Sequence, residues 1–229
     1  MSALNWYIKN WPKIGIVAST GIAGWLAVKG KSTSSSRALA LANLATLGAH
    51  QFEEHVFPGY FTGVFNQRIA QSQTPENYPT NARTAMLINT ALAYPFNLAP
   101  VVWPQKKWLG LAPVLFGFSQ ALGHCLAMPL RAKTPYVPGA ITTVLLYVPI
   151  GAAWIKEEKD NGGFTRSDLA KTAAYVSAYI VGGIILPQKK LNLKDSVYKA
   201  QPYQLKIPSW NSFAALLPGP RTSKNDGAQ

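Results

Sequence analysis

Two carboxylates and three imidazoles stand in segments that are otherwise apolar. The stretch AHQFEEHVF, residues 49–57, holds His50, Glu53, Glu54 and His55, and the remaining histidine, His124, lies in SQALGHCLAMPLR. The chain has nine acids, of which only Glu53, Glu54 and Glu76 precede Lys156, so this adjacent pair stands out against an acid-poor background. On a helix, residues three and four apart share a face, which puts His50 beside Glu53 and Glu54, with Asn43 on the same stripe; His55 points about 140° away from His50 and reads as an adjunct. Gln120 and His124 are one turn apart on a second helix, and Asn89 and Asn97 lie on a third.

Such residues can do three kinds of work. Imidazole nitrogen and carboxylate oxygen are ligands suited to zinc or iron, so His50, Glu53, Glu54 and His124 are the candidate metal ligands, delivered from two helices with a place left for water or substrate. A metal there would assist hydrolysis or oxidation. Without a metal, the same four residues are candidate catalytic groups for isomerisation or cyclisation: two neighbouring carboxylates cannot both ionise easily, so one holds a proton while the other is a base, and the imidazoles orient them. The third kind is non-catalytic, a small transporter or a structural subunit of a membrane complex. No inverted repeat or nucleotide-binding loop is present to favour a carrier or a nucleotide enzyme.

The elements that must hold these groups are membrane helices. Hydrophobic residues make up 48% of the chain and charged residues 14%, and the apolar residues are gathered into long runs separated by short basic connectors. The runs fall at about 14–29, 38–57, 84–103, 108–130, 138–155 and 170–187, and the first is barely long enough to cross a bilayer core of about 30 Å. The expected fold is all-α, a polytopic transmembrane helix bundle with five or six spans. Trp11, Trp103, Trp108 and Trp154 fall at the ends of runs, where amphipathic rings prefer to sit.

A carboxylate near the centre of a membrane helix costs about 2.5–3.5 kcal/mol, so Glu53 and Glu54 together ask for about 5–7 kcal/mol that partners or protonation must offset. The pair must therefore face the bundle interior or a cavity. Asn89, Asn97 and Gln120, taken singly, read as interhelical hydrogen-bond glue.

Three regions follow. Residues 1–37 form a basic amino-terminal segment with a short first span, 38–187 the membrane core, and 188–229 a basic tail, interfacial or disordered, in which Trp210, Phe213, Leu216 and Leu217 are suited to the membrane interface. Residues 58–83 form a long polar connector with the look of a partly helical flap, and RSDLAKTAAY looks like a capped helix start. The net charge of +13 is spread between the apolar runs rather than along one soluble face, which points to anionic lipid headgroups as partner and away from nucleic acid. The single cysteine, Cys125, excludes an intramolecular disulfide.

The sequence HQFEE followed by VFPGYF, then GH on a later helix, then RAKTPYVPGAITTVLLYVP, resembles the HXXEE-motif family of small integral membrane proteins. The resemblance covers roughly residues 38–187. It implies polar positions at His50, Glu53, Glu54 and His124, with Tyr136, Pro138, Gly139 and Thr142 in the later motif, and it assigns no reaction. The first apolar run and the basic tail are additions to that pattern. The expected function is that of an integral membrane protein with an internal His/Glu site, an enzyme acting on a lipophilic small molecule. Its membrane is equally that of the endoplasmic reticulum, the mitochondrial inner membrane or the bacterial inner membrane, and its oligomeric state is open.

Overall fold

A computed structural model describes residues 2–191 and 193–208. The proposed interfacial residues Trp210, Phe213, Leu216 and Leu217 lie outside the described residues. Among those described there is no strand. Six long helices run α1 Ala3–Lys29, α2 Ser35–His55, α4 Ala82–Val102, α5 Lys107–Ala132, α6 Ala140–Asp160 and α7 Arg166–Leu191, with a short helix α3 over 61–69 in the connector after α2.

Local chemistry fixes the helix starts. The hydroxyls of Ser2 and Ser34 accept from the backbone N–H of Asn5 and Arg37, and Asn81 accepts from Thr84. At α7, Thr165 and Asp168 form a reciprocal capping box, as the RSDL sequence signals.

Four of these helices, α4 to α7, are long and apolar enough to cross a membrane, the pattern of a multi-pass integral membrane protein. The expected count of five or six is not reached: α1 and α2 have the length of a span but not the apolar composition. Helix α1 is 27 residues long and starts well before the apolar run at 14–29, because it continues through Lys9 and Lys13. Helix α2 is 21 residues long, but Asn43, His50, Gln51, Glu53 and Glu54 lower its hydropathy. It tolerates them because it is the central helix: twelve of its residues are buried, packed among α1, α4, α5 and α6.

Polarity is inverted relative to a water-soluble core. Leu122, Leu126 and Leu130 on α5 and Val144 and Leu145 on α6 are exposed, whereas His50, Gln51, Glu53, Glu54, His124 and Thr143 are buried. Lipid offers no hydrophobic drive to pull such helices together, so close packing and buried hydrogen bonds must do it. Asn43 donates to Asn97 at 3.0 Å, and the Gln51 amide donates to the backbone carbonyl of Asn89 at 2.7 Å, joining α2 to α4.

Helices α1 and α2 meet through small residues. A Cβ placed on Gly48 would lie 2.7 Å from the Gly15 carbonyl oxygen and 2.2 Å from the Ser19 hydroxyl, so the backbones approach as closely as glycine permits. Gly48→Leu is expected to cost about 3 kcal/mol by overpacking, read as a lowered denaturation midpoint in detergent; an unchanged midpoint would mean that α1 does not hold to α2 here.

The helices alternate in direction, so the amino end of α1, the carboxyl end of α2 and the start of α4 lie on one side of the bundle. The described tail, 193–208, returns to that side and is held in place. Ala82 and Gln67 donate to the carbonyls of Tyr198 and Leu205, Ala200 donates to Glu76, and Asn77 donates to Ser196. This part of the tail is thus packed on the connector, because polar groups on both segments find their partners in each other. In the connector itself, buried Asn66 donates to the carbonyls of Pro75 and Thr80 and accepts from the Thr80 N–H, closing the loop that follows α3.

Candidate functional site

Helix α2 delivers Glu53 and Glu54 to different partners. The Glu53 carboxylate reaches the start of α6. Its Oε1 accepts from the Tyr136 hydroxyl and, at 3.0 Å, from the Ile141 N–H; its Oε2 accepts from the Thr142 N–H at 2.8 Å and the Thr142 hydroxyl at 2.5 Å. The first N–H groups of a helix have no partner within it, and they carry the positive end of its dipole. Glu53 is therefore a cap supplied to α6 from another helix. Four donors fill the acceptor positions of a carboxylate, which explains how this charge is accommodated.

The segment between α5 and α6 is shaped for that contact. Gly139 has φ +105°, a conformation L side chains rarely adopt, and a Cβ there would lie 2.6 Å from His124 Nδ1 and 2.7 Å from His50 Cε1. Tyr136, Gly139 and Thr142 thus act together on one carboxylate and two imidazoles. Burial raises the Tyr136 phenol, and its bond to Glu53 raises it further, so it remains a donor; burial and then the Glu53 charge push Tyr60 up to about 12.

Glu54 lies at the centre of the histidines. Its Oε1 is 3.6 Å from His50 Nε2 and 3.4 Å from His124 Nε2, and its Oε2 is 3.7 Å from His55 Nε2. His50, Glu54 and His124 are all buried, with one ligand atom from each lying within 4.8 Å of the others. Glu53 is outside this group. His124 sits on a wide turn of π geometry, Gly123–Ala127, and such turns are frequent at functional sites.

The hydrogen-bond network assigns the tautomer of His50. Its Nδ1 is 3.0 Å from the Thr142 hydroxyl oxygen, whose one proton is directed to Glu53. In the neutral ring Nδ1 then carries the hydrogen, and Nε2 turns its lone pair toward Glu54, 3.6 Å away. Nδ1 of His124 faces the Pro138 carbonyl without a well-formed hydrogen bond. Glu53, Thr142 and His50 are linked in the way that outer groups orient metal-binding imidazoles.

Aromatic rings enclose the cluster. The Tyr147 ring stands edge-on to His50 with centroids 5.4 Å apart, and Phe61 from α3 lies 5.3 Å from His124. Trp11 and Phe61 pack against His55 at 5.1 and 6.1 Å.

The structure thus brings together His50, Glu54 and His124, adds His55, and turns Glu53 to the α6 start. The helical angle that sets His55 apart from His50 misses this contact because Glu54 lies between the two in angle and offers each a separate oxygen. The tail's part was also missed: the Tyr203 hydroxyl and the Gln204 amide donate to the His55 carbonyl at 2.7 and 3.0 Å. No local pattern signals that contact, since about 150 residues separate the partners. Asn43, Asn89 and Asn97 join helices and take no part in the cluster, and Cys125 is exposed.

Tyr136→Phe removes one of the four donors to Glu53 and is expected to lower stability by about 2 kcal/mol, as checked by the denaturation midpoint in detergent. No change would show that Glu53 is held by the backbone N–H groups without the phenol.

Comparison with known proteins matches residues 41–154 to the family model described as a protein of unknown function with HXXEE motif. That range includes His50, Glu53, Glu54, His124 and the 136–142 turn, and excludes α1 and the tail. No curated protein and no solved structure matches the chain.

Proposed function

From this HXXEE-type core, residues 41–154, we propose that the protein is a membrane-embedded, metal-dependent hydrolase of a lipophilic substrate, with all six long helices crossing the bilayer. One observation carries the reading: His50 Nε2 and His124 Nε2 converge on Glu54 Oε1 at 3.6 and 3.4 Å. Ligands about 2.0–2.1 Å from a tetrahedral zinc lie about 3.4 Å apart, so the two spacings to Glu54 are compatible with zinc, and two imidazoles with one carboxylate also suit iron. Two imidazoles and one carboxylate leave a fourth position open, the arrangement of a catalytic rather than a structural zinc site.

Zinc held there supplies a Lewis acid and lowers the pKa of water. The chain's own groups do the rest. The link from Glu53 through Thr142 fixes the His50 ring. Tyr147 and Phe61 exclude bulk water and strengthen electrostatic interactions inside. His55 Nε2, buried and without a hydrogen-bond partner, faces Glu54 Oε2 and is positioned to exchange a proton with a reacting group.

The metal-free reading needs both carboxylates to share one reaction, and Glu53 is already engaged by four donors. The depth of the site suits a lipid linkage near the headgroups. His50 is five residues from the end of α2, about 8 Å along the axis.

The test is turnover by protein in nanodiscs, stripped with a chelator and reloaded with zinc, against acyl esters and phospholipids. Zinc-restored release of acid or headgroup is expected. Equal release by the stripped protein, or none across the panel after reloading, would oppose the reading.

A further inference from the structure

Beside His55 is a cavity of about 800 Å³, within the range of small-ligand sites, that the cluster itself does not explain. It lies between the amino half of α1, the start of α4 and the tail. Ile8, Trp11 and Ala85 give it an apolar wall, and Tyr198 and Tyr203 from the tail close another side. Lys9 and Lys199 also line it, and no carboxylate among the described residues does; Lys199 reaches Glu76, outside the wall, at 3.7 Å. At the inner wall is His55, 4% exposed, its Nε2 without a hydrogen-bond partner and 3.7 Å from Glu54 Oε2.

We infer that this cavity binds a single-chain amphiphile with an anionic headgroup, its chain against Ile8 and Trp11, its charge near Lys9 and Lys199, and its linkage toward His55. This deepens the hydrolase reading by naming its substrate class, and it rests on that reading only for what happens after binding. Three features argue for the class. The wall mixes apolar rings with two cations and no acid, which selects a negative head on an apolar body. The inner end meets an unpartnered imidazole next to the metal-ligand cluster. The cavity also lies at the end of the bundle where α1 and α4 begin and α2 ends, the end at which the proposed six-span topology would place lipid headgroups. A lysophospholipid substrate and the fatty acid released from it share this chemistry.

The experiment uses full-length protein in nanodiscs, with diazirine-bearing palmitate and diazirine-bearing lysophosphatidate as separate probes and a diazirine monoacylglycerol as the neutral control. Cross-linked peptides are mapped by mass spectrometry. Labelling by an anionic probe is expected within 5–12 and 197–204, competed by the unlabelled anion and exceeding that of the neutral probe. Lys9→Gln with Lys199→Gln, both surface changes compatible with folding, is expected to weaken it on the order of tenfold. Preference for palmitate identifies a fatty acid, and preference for lysophosphatidate a lysolipid. His124→Ala should label as wild type does, so binding stands or falls separately from metal chemistry. Labelling spread over the outer helix faces, or equal labelling by the neutral probe with no effect of the lysine changes, would overturn the inference.

Discussion

Glu54→Gln is expected to lower zinc affinity at least about 100-fold and remove hydrolysis, while leaving the metal-free protein as stable as wild type or more so. Glu54 is the group on which the His50 and His124 nitrogens converge, so its loss removes one of the three groups proposed to hold the metal. It is also a buried acid that forms no hydrogen bond among the described residues, its nearest imidazole nitrogens lying at 3.4, 3.6 and 3.7 Å, and neutralising such a group without a metal removes a desolvation cost. Glu53→Gln should act mainly on stability, with zinc affinity falling only about tenfold through the link to His50. The substituted amide sets N–H groups against the N–H groups of Ile141 and Thr142, which costs about 3–5 kcal/mol. Thermal denaturation and zinc titration of both variants check the contrast. If both lose stability equally and neither loses zinc, the two glutamates form one structural pair and the division of labour argued here is wrong.

Gly139→Ala is expected to abolish metal binding and activity together. The new methyl group would lie 2.6 Å from His124 Nδ1 and 2.7 Å from His50 Cε1, and φ +105° is strained for alanine before any contact is counted. Either the imidazoles move apart or the turn opens, and opening the turn takes Ile141 and Thr142 away from Glu53. A combined loss of about 3 kcal/mol or more in stability is expected, with zinc affinity reduced at least about 100-fold. Near-normal zinc binding by this variant would mean that the two histidines are not held against the turn.

The relation between sequence and site differs residue by residue. His50 and Glu54 were legible because four residues is one helical turn, and a buried charge in an apolar run demands a partner. His124 was legible because it is the one histidine outside that helix. The role of Glu53 was not, because its partners are mostly backbone N–H groups at the start of α6, and a helix start is visible in sequence only as a turn. The resemblance placed Tyr136, Gly139 and Thr142 in one motif; their convergence on Glu53 and the two imidazoles supplies its physical reason.

Fold legibility has the same limit. Hydropathy singles out α4 to α7, whose exposed sides are apolar, and does not single out α1 and α2. Helix α2 is central and polar within, so its amphipathic signal is inverted. Helix α1 buries a stripe at Ile8, Trp11, Gly15 and Ser19, too narrow to raise its average hydropathy. The tail reads as basic and irregular, yet residues 197–204 complete the cavity wall, and the segment is held by contacts to residues far away in sequence.

The most direct test of the central claim is elemental analysis of the detergent-purified protein after incubation with stoichiometric zinc and desalting, wild type beside His50→Ala and His124→Ala. The account predicts about one zinc per chain in the wild type and less than about a tenth in either variant. A metal-free wild type, or equal zinc in all three proteins, would contradict it.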